Sequence, residues 1–207
     1  MNNRHSLYLL LSLLFLALTS CQEKNEASEY DNWQQRNDAY IDSIARVCRA
    51  NADGRWVSFR AFDLGTPIDD AIDANLSHYI YVHKESDGTG SYKPLYTDSV
   101  RVHYSGRIIP SESYPQGYNF NRSYYGYTLD EATDVPALLG VGGTVKGFCT
   151  ALMQMVEGDT WRVYIPYELG YGGTAQSSGI PAYSTLIFDM KLARVYKYKV
   201  DTNTKWW

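Results

Sequence analysis

Three hydropathy periods follow one another along the 207-residue chain. Leu7 to Leu18 is a continuous apolar run broken only by Tyr8 and Ser12. Next, Trp33, Tyr40, Ile41, Ile44, Val47 and Cys48 recur at helical spacing and predict an amphipathic helix from about Asp31 to Ala50. Asn51-Ala52-Asp53-Gly54 ends it. Such a helix must pack on something, either the domain that follows or a second copy of itself. Between Arg55 and Asn75 the pattern selects no element: Trp56 to Phe62 reads as a strand and Pro67 to Ile72 as a short helical turn, and neither is assigned.

From Tyr79 the period changes to two. Tyr79 to Lys84 and Ser99 to Tyr104 predict strands, with Asp87-Gly88-Thr89-Gly90 as a turn between them. Val145, Phe148, Leu152 and Met155 return to helical spacing, with Thr144 as the expected N-cap and Glu157-Gly158-Asp159 as the stop. Trp161, Val163 and Ile165 alternate with polar neighbours, and Thr185 to Val195 predicts a long strand with Leu186, Phe188, Met190 and Leu192 on one face. Antiparallel-type strands with one inserted helix predict an α+β domain, a twisted sheet wrapped around one short helix. An N-terminal helical extension precedes it.

Composition narrows the function classes. Aromatic residues make up 14% of the chain, enough for a core, which excludes a wholly disordered protein. The 16 Gly and 7 Pro exclude a coiled-coil rod. A formal net charge of −4 argues against a nucleic-acid partner, whose phosphates call for clustered Lys and Arg.

The N-terminus reads as an address. Arg4 and His5, the short apolar run and small residues before Cys21 describe a secretory signal. The run is too short for a membrane-spanning helix, which needs about 20 residues. Leu18-Thr19-Ser20-Cys21 resembles the bacterial lipobox, which implies that the Cys21 thiol is lipidated and holds the chain on a membrane of the cell envelope, the outer membrane by expectation. Gln22 to Glu29 is then a polar tether, similar to the export signal of some Bacteroidetes lipoproteins. The expected organisation is a signal at 1–20, a tether at 21–30, an extension at 31–78, a domain at 79–200 and a tail at 201–207. Cys48 and Cys149 are expected to be buried thiols rather than a bridge.

The usual catalytic constellations are missing. The four His residues, at 5, 78, 83 and 103, do not pair with Cys, Asp or Glu at metal-ligand spacing, so neither metal nor cofactor is expected. There is no Gly-x-Ser-x-Gly elbow, and Gly140-Val141-Gly142-Gly143 lacks the Lys-Ser/Thr of a phosphate loop. His103 reads as a hydrogen-bonded structural residue. The remaining signal is a set of aromatics near turns, which reads as ordinary core or as the lining of an apolar-ligand pocket.

Six motifs then occur in the order of one family. Val102-His103-Tyr104-Ser105-Gly106, Gly117 to Ser123, Thr144-Val145-Lys146-Gly147-Phe148, Met155 with Gly158, Ile165 to Gly172, and Ile180-Pro181 with Thr185 to Asp189 together resemble the FKBP-type peptidyl-prolyl isomerases. The resemblance covers about residues 79–196. It implies a pocket lined by Tyr104, Phe120, Phe148, Tyr171, Ile180 and Phe188, with Thr144, Val145 and Ile180 binding substrate and the Val145 N–H, at the pocket floor, meeting a ligand carbonyl. Asn121 stands where the family has Asp, keeping the shape and losing the charge. The implied activity is prolyl isomerisation and the implied partners are proline-containing polypeptides and macrolides. Two other readings remain beside it: a binding module that holds prolyl segments without turnover, motivated by Asn121, and a scaffold lipoprotein that uses the 33–48 helix as a partner surface.

Overall fold

Apolar positions that recur every second residue, strictly in Thr160–Ile165, build the central part of the sheet. The computed structural model describes residues 29–65, 75–126 and 128–199. The expected signal, Cys21, the Pro67–Ile72 turn and the Trp206-Trp207 tail lie outside them. Helix α1 spans Trp33–Ala50 and is closed by Asn51 in the left-handed region, its N–H donating to Val47 O. Seven strands follow: β1 (Trp56–Arg60), β2 (Tyr79–Ser86), β3 (Ser99–Ile108), β4 (Asn119–Arg122), β5 (Ala137–Gly140), β6 (Thr160–Ile165) and β7 (Leu186–Tyr196). Helix α2, Lys146–Leu152, lies between β5 and β6.

All pairings are antiparallel, in the order β1-β2-β6-β7-β3-β4. The strand made last therefore lies between β6 and β3. The other edge of β3 is shared: β5 pairs with Ser99–Val102 and β4 with Ser105–Arg107. One face of the sheet supplies Ile80, Val82, Val102, Trp161, Val163 and Leu192 to a core that also contains Phe148, Leu152 and Met155, on and just after α2. On the opposite face α1 covers the β2–β6 half, with Ile41 and Ala45 packed on Tyr81 and Tyr164. The sheet thus has a helix on each side, which is how two apolar faces are kept from water.

Several details differ from the sequence-based expectations. The sheet begins at Trp56, inside the segment read as extension. Asp87–Gly90 is not a hairpin turn: β2 and β3 are not partners, and the chain crosses instead over the Glu157–Asp159 turn, where Gly88 N–H donates to Asp159 Oδ1 (2.7 Å) and Gly90 N–H to Glu157 O (3.0 Å). Thr144 is not an N-cap; that position belongs to Val145, and the Thr144 hydroxyl donates back to Val141 O. Val47 is 46% exposed, whereas the polar Asn37, on the same face as Trp33 and Ile41, is fully buried. His103 is buried, its Nδ1 has no hydrogen-bond partner among the described residues, and burial lowers its pKa. Cys48 and Cys149 are both free, Cys149 buried as expected and Cys48 only half-buried.

Candidate functional site

Tyr104 on β3, Phe120 and Asn121 on β4, Phe148 on α2 and Phe188 on β7 come from distant parts of the chain. The register joins them: Gly106 lies opposite both Asn121 and Phe188. Gly106 has to be a glycine for reasons of space. A Cβ there would lie 2.5 Å from Phe188 Cε1 and 2.7 Å from Phe120 Cζ. Its absence lets the two rings meet edge to face at 5.6 Å between centroids. Helix α2 is seated the same way, since a Cβ on Gly147 would meet Ile165 Cγ2 at 2.3 Å. Phe148, the next residue, then contacts Phe188 at 4.9 Å and Tyr104 at 5.8 Å, both edge to face. That arrangement sets the positive ring edges against the negative faces.

Together these rings make a cavity of about 460 Å³, lined also by Leu139, Gly143, Thr144, Val145 and Tyr171. The volume lies in the usual range for small-ligand sites. None of the lining side chains carries a charge. Phe148 and Phe188 are buried at the base, and Tyr171 is 39% exposed at the rim. The pKa of the Tyr104 hydroxyl is raised, first by burial and then by Tyr171 nearby, so it remains a protonated donor. Val145 precedes the first residue of α2, and among the described residues no acceptor meets its N–H. The Asn121 amide is likewise without a hydrogen-bond partner among the described residues. The cavity therefore offers an apolar base with uncommitted polar groups around it. An uncharged, weakly polar ligand fits that chemistry, and the lining holds no carboxylate, imidazole, thiol or amine side chain. Among the described residues no cluster of three or more His, Cys, Asp or Glu could hold a metal ion.

Tyr104, Phe120, Asn121, Thr144, Val145, Phe148, Tyr171 and Phe188 are all brought together here. Ile180 is not. It is 2% exposed, belongs to the core and bridges to Gln176, and it is not among the residues that line the cavity. Leu139 and Gly143 also line the cavity, outside the six motifs. The signal for them was present in Ala137-Leu138-Leu139-Gly140, a short apolar stretch running into a Gly-Gly turn.

The family model of FKBP-type peptidyl-prolyl cis-trans isomerases matches residues 90–193, half of the chain and all of the cavity lining. The chain belongs to this family. The FKBP-type chain is 35% identical over 110 residues to the macrophage infectivity potentiator of Trypanosoma cruzi, covering 52% of this chain and 48% of that protein. It is 36% identical over 102 residues to the FKBP-type 22 kDa peptidyl-prolyl cis-trans isomerase of Escherichia coli, covering 49% and 43%. It thus spans about half the length of these curated relatives. Among solved structures, FkpA from Escherichia coli superposes with a TM-score of 0.54 at 21% identity, over 95% of this chain and 74% of the other. A peptidyl-prolyl cis-trans isomerase from Pseudomonas syringae gives 0.51 at 22% identity, over 78% and 96%. These structures share the fold.

Proposed function

We propose that this FKBP-type protein is a peptidyl-prolyl cis-trans isomerase that takes prolyl segments of polypeptides into the aromatic cavity. The observation that carries the reading is the uncharged cavity itself, closed at its base by the edge-to-face rings of Phe148 and Phe188. The reaction needs no covalent chemistry. Rotation about a peptide bond is slow because resonance imposes a barrier of about 18–20 kcal/mol. At the twisted transition state the resonance is lost and charge leaves the carbonyl oxygen. A water-poor aromatic site favours that less polar amide over the planar one, which is selective binding of the transition state. In this mechanism Phe148 supports the prolyl ring, Tyr104, Phe120 and Phe188 form the walls, and the Val145 N–H and the Tyr171 hydroxyl donate to the substrate backbone. Asn121 faces the rotating carbonyl with an amide instead of a carboxylate. Macrolides that present an amide and an apolar ring compete for the same site.

The same proposal includes location. The lipobox-like Leu18 to Cys21 supports a lipidated chain on a membrane of a bacterial cell envelope, of the Bacteroidetes-like lipoprotein form, where it assists the folding of exported proteins. A Cys21→Ser variant that still incorporates labelled fatty acid would remove this part.

Asn121 favours a second reading, a module that binds prolyl segments with little turnover. Both readings are tested by the cis/trans relaxation of a prolyl peptide with the full chain and its Asn121→Asp variant, with and without a macrolide. Isomerase function predicts macrolide-sensitive acceleration by the wild type and at most a modest gain on Asn121→Asp. Peptide binding without acceleration, restored by Asn121→Asp, establishes the binding module instead.

A further inference from the structure

Helix α1 does more than cover the sheet. Its first turns are tied to the two segments that carry the rim and one wall of the cavity. Trp33 Nε1 donates to Ser184 Oγ at 2.8 Å, and Ser184 Oγ donates on to Pro181 O at 2.7 Å. Asn37 Oδ1 accepts from the Thr185 N–H at 2.7 Å, while Asn37 Nδ2 donates to Trp33 O at 2.7 Å. Asn37 is fully buried and Trp33 is 5% exposed. These bonds fix the residues immediately before β7, and Phe188 follows Thr185 by three positions.

The second tie runs to the rim. Gln34 Nε2 donates to the Tyr167 hydroxyl at 3.2 Å, and the Tyr167 ring packs edge to face on Tyr183 at 5.3 Å. Tyr183 has a φ of 61°, an unfavourable backbone conformation for a bulky residue, and its N–H donates to Gly172 O at 2.8 Å, one residue from Tyr171. A strained residue persists only where its surroundings over-determine it. Here the surroundings include α1.

We infer that Asn37 and Trp33 are positioning residues of the prolyl site, so that the N-terminal helix, outside the matched 90–193 segment, sets the geometry of Phe188 and Tyr171 from a distance. This rests on the isomerase reading for its kinetic consequence, but not for its structural one. Buried hydrogen bonds suit the task, because a donor left unpaired away from water cannot be tolerated and the loop must follow the helix. Ile41, one turn further along the same helix, is the natural control. Its side chain is buried against Tyr81 on the far face of the sheet and, being aliphatic, holds neither segment by a hydrogen bond.

The experiment compares Asn37→Ala and Ile41→Ala in the full chain. Three readouts are taken: Tm, the KM and kcat of prolyl-peptide isomerisation well below Tm, and the ring resonances of Phe188 and Tyr171 by NMR. Asn37→Ala is expected to raise KM about tenfold, as sub-ångström misplacement of a binding wall does, and to move both ring resonances. Ile41→Ala is expected to lower Tm with KM and the resonances unchanged. Where Asn37→Ala fails to fold, Ser184→Ala removes only the hydroxyl that accepts from the Trp33 indole N–H, and should shift the same readouts in the same direction. Wild-type KM and ring resonances in the position-37 variant overturn the proposal. So do changes in both variants that simply scale with loss of Tm. A wild type without isomerase activity would sink the isomerase reading, and the ring resonances alone would then decide the positioning.

Discussion

Gly106→Ala is the smallest change that tests how the cavity is built. The new methyl group would lie 2.5 Å from Phe188 Cε1 and 2.7 Å from Phe120 Cζ. Carbon atoms in contact prefer about 3.5–4.0 Å, so each ring must retreat by about 1 Å. Neither retreat is free, since Phe188 is held between Phe148 and Phe120 and is 5% exposed. Overpacking of this kind costs about 1–3 kcal/mol. For a chain of this size each kcal/mol lowers Tm by roughly 2–4 °C, so the expected fall is about 2–12 °C by scanning calorimetry. Activity should suffer more than stability. Both rings line the site, and a 1 Å misplacement can cost on the order of a hundredfold in rate. A prolyl-peptide assay run well below Tm separates the two effects. Wild-type Tm together with wild-type kcat/KM would refute the claim that an absent Cβ shapes this pocket.

Two further outcomes follow from electrostatics and burial. His83 places Nε2 2.8 Å from Asp53 and Nδ1 3.0 Å from Glu85, an arrangement that needs the imidazolium form. The Asp53 hydrogen bond raises the folded pKa of His83, so its stabilising contribution is complete below about pH 6.5 and is lost as pH rises through the folded value. The folded pKa of Asp53 is lowered, chiefly by the Arg55 N–H, so its share persists until pH falls through that value. The Tm difference between wild type and His83→Gln should therefore shrink from about pH 6 to about pH 8, and a constant difference would contradict the pairing. Burial pushes the Cys149 thiol up to about 11 and also raises that of Cys48. Disulfide-exchange reagents at pH 8 should therefore modify the half-buried Cys48 slowly and Cys149 only on unfolding; prompt labelling of Cys149 would contradict its burial.

The parts of the molecule that were legible in the sequence are those in which side-chain type and local spacing carry the information. Alternation marks β3, β6 and β7 because every second side chain of each packs into the core around α2. The cavity rings fall in short ordered motifs that keep their spacing. Other parts are set by distant chain. β1 is half-buried at four of its five positions, so it shows no clean alternation. Asn37 is a polar residue on an otherwise apolar face, and hydropathy passes over it; its partner Thr185 lies 148 residues away. Asp87–Gly90 has the composition of a tight turn, yet its glycine is there so that the backbone can cross Glu157–Asp159 closely: a Cβ on Gly88 would come 2.3 Å from Glu157 O. Ile180 has the right motif, but its side chain is drawn into the core.

The location of β7 also fixes when the protein can fold. The pairing of Val102 with Leu192 closes a loop of 90 residues, and β6 too depends on β7 for one of its neighbours. While the chain is being synthesised, β3 and β6 emerge with no strand to lie between them. The two halves of the sheet stay apart until about residue 196 has left the ribosome. Pairings of such long range form slowly, on a scale of milliseconds to seconds. The nascent sheet therefore remains open until β7 has been made, which leaves its unpaired strands exposed to holding chaperones until then. It becomes a closed sheet in one late step, when its last strand slots into the middle.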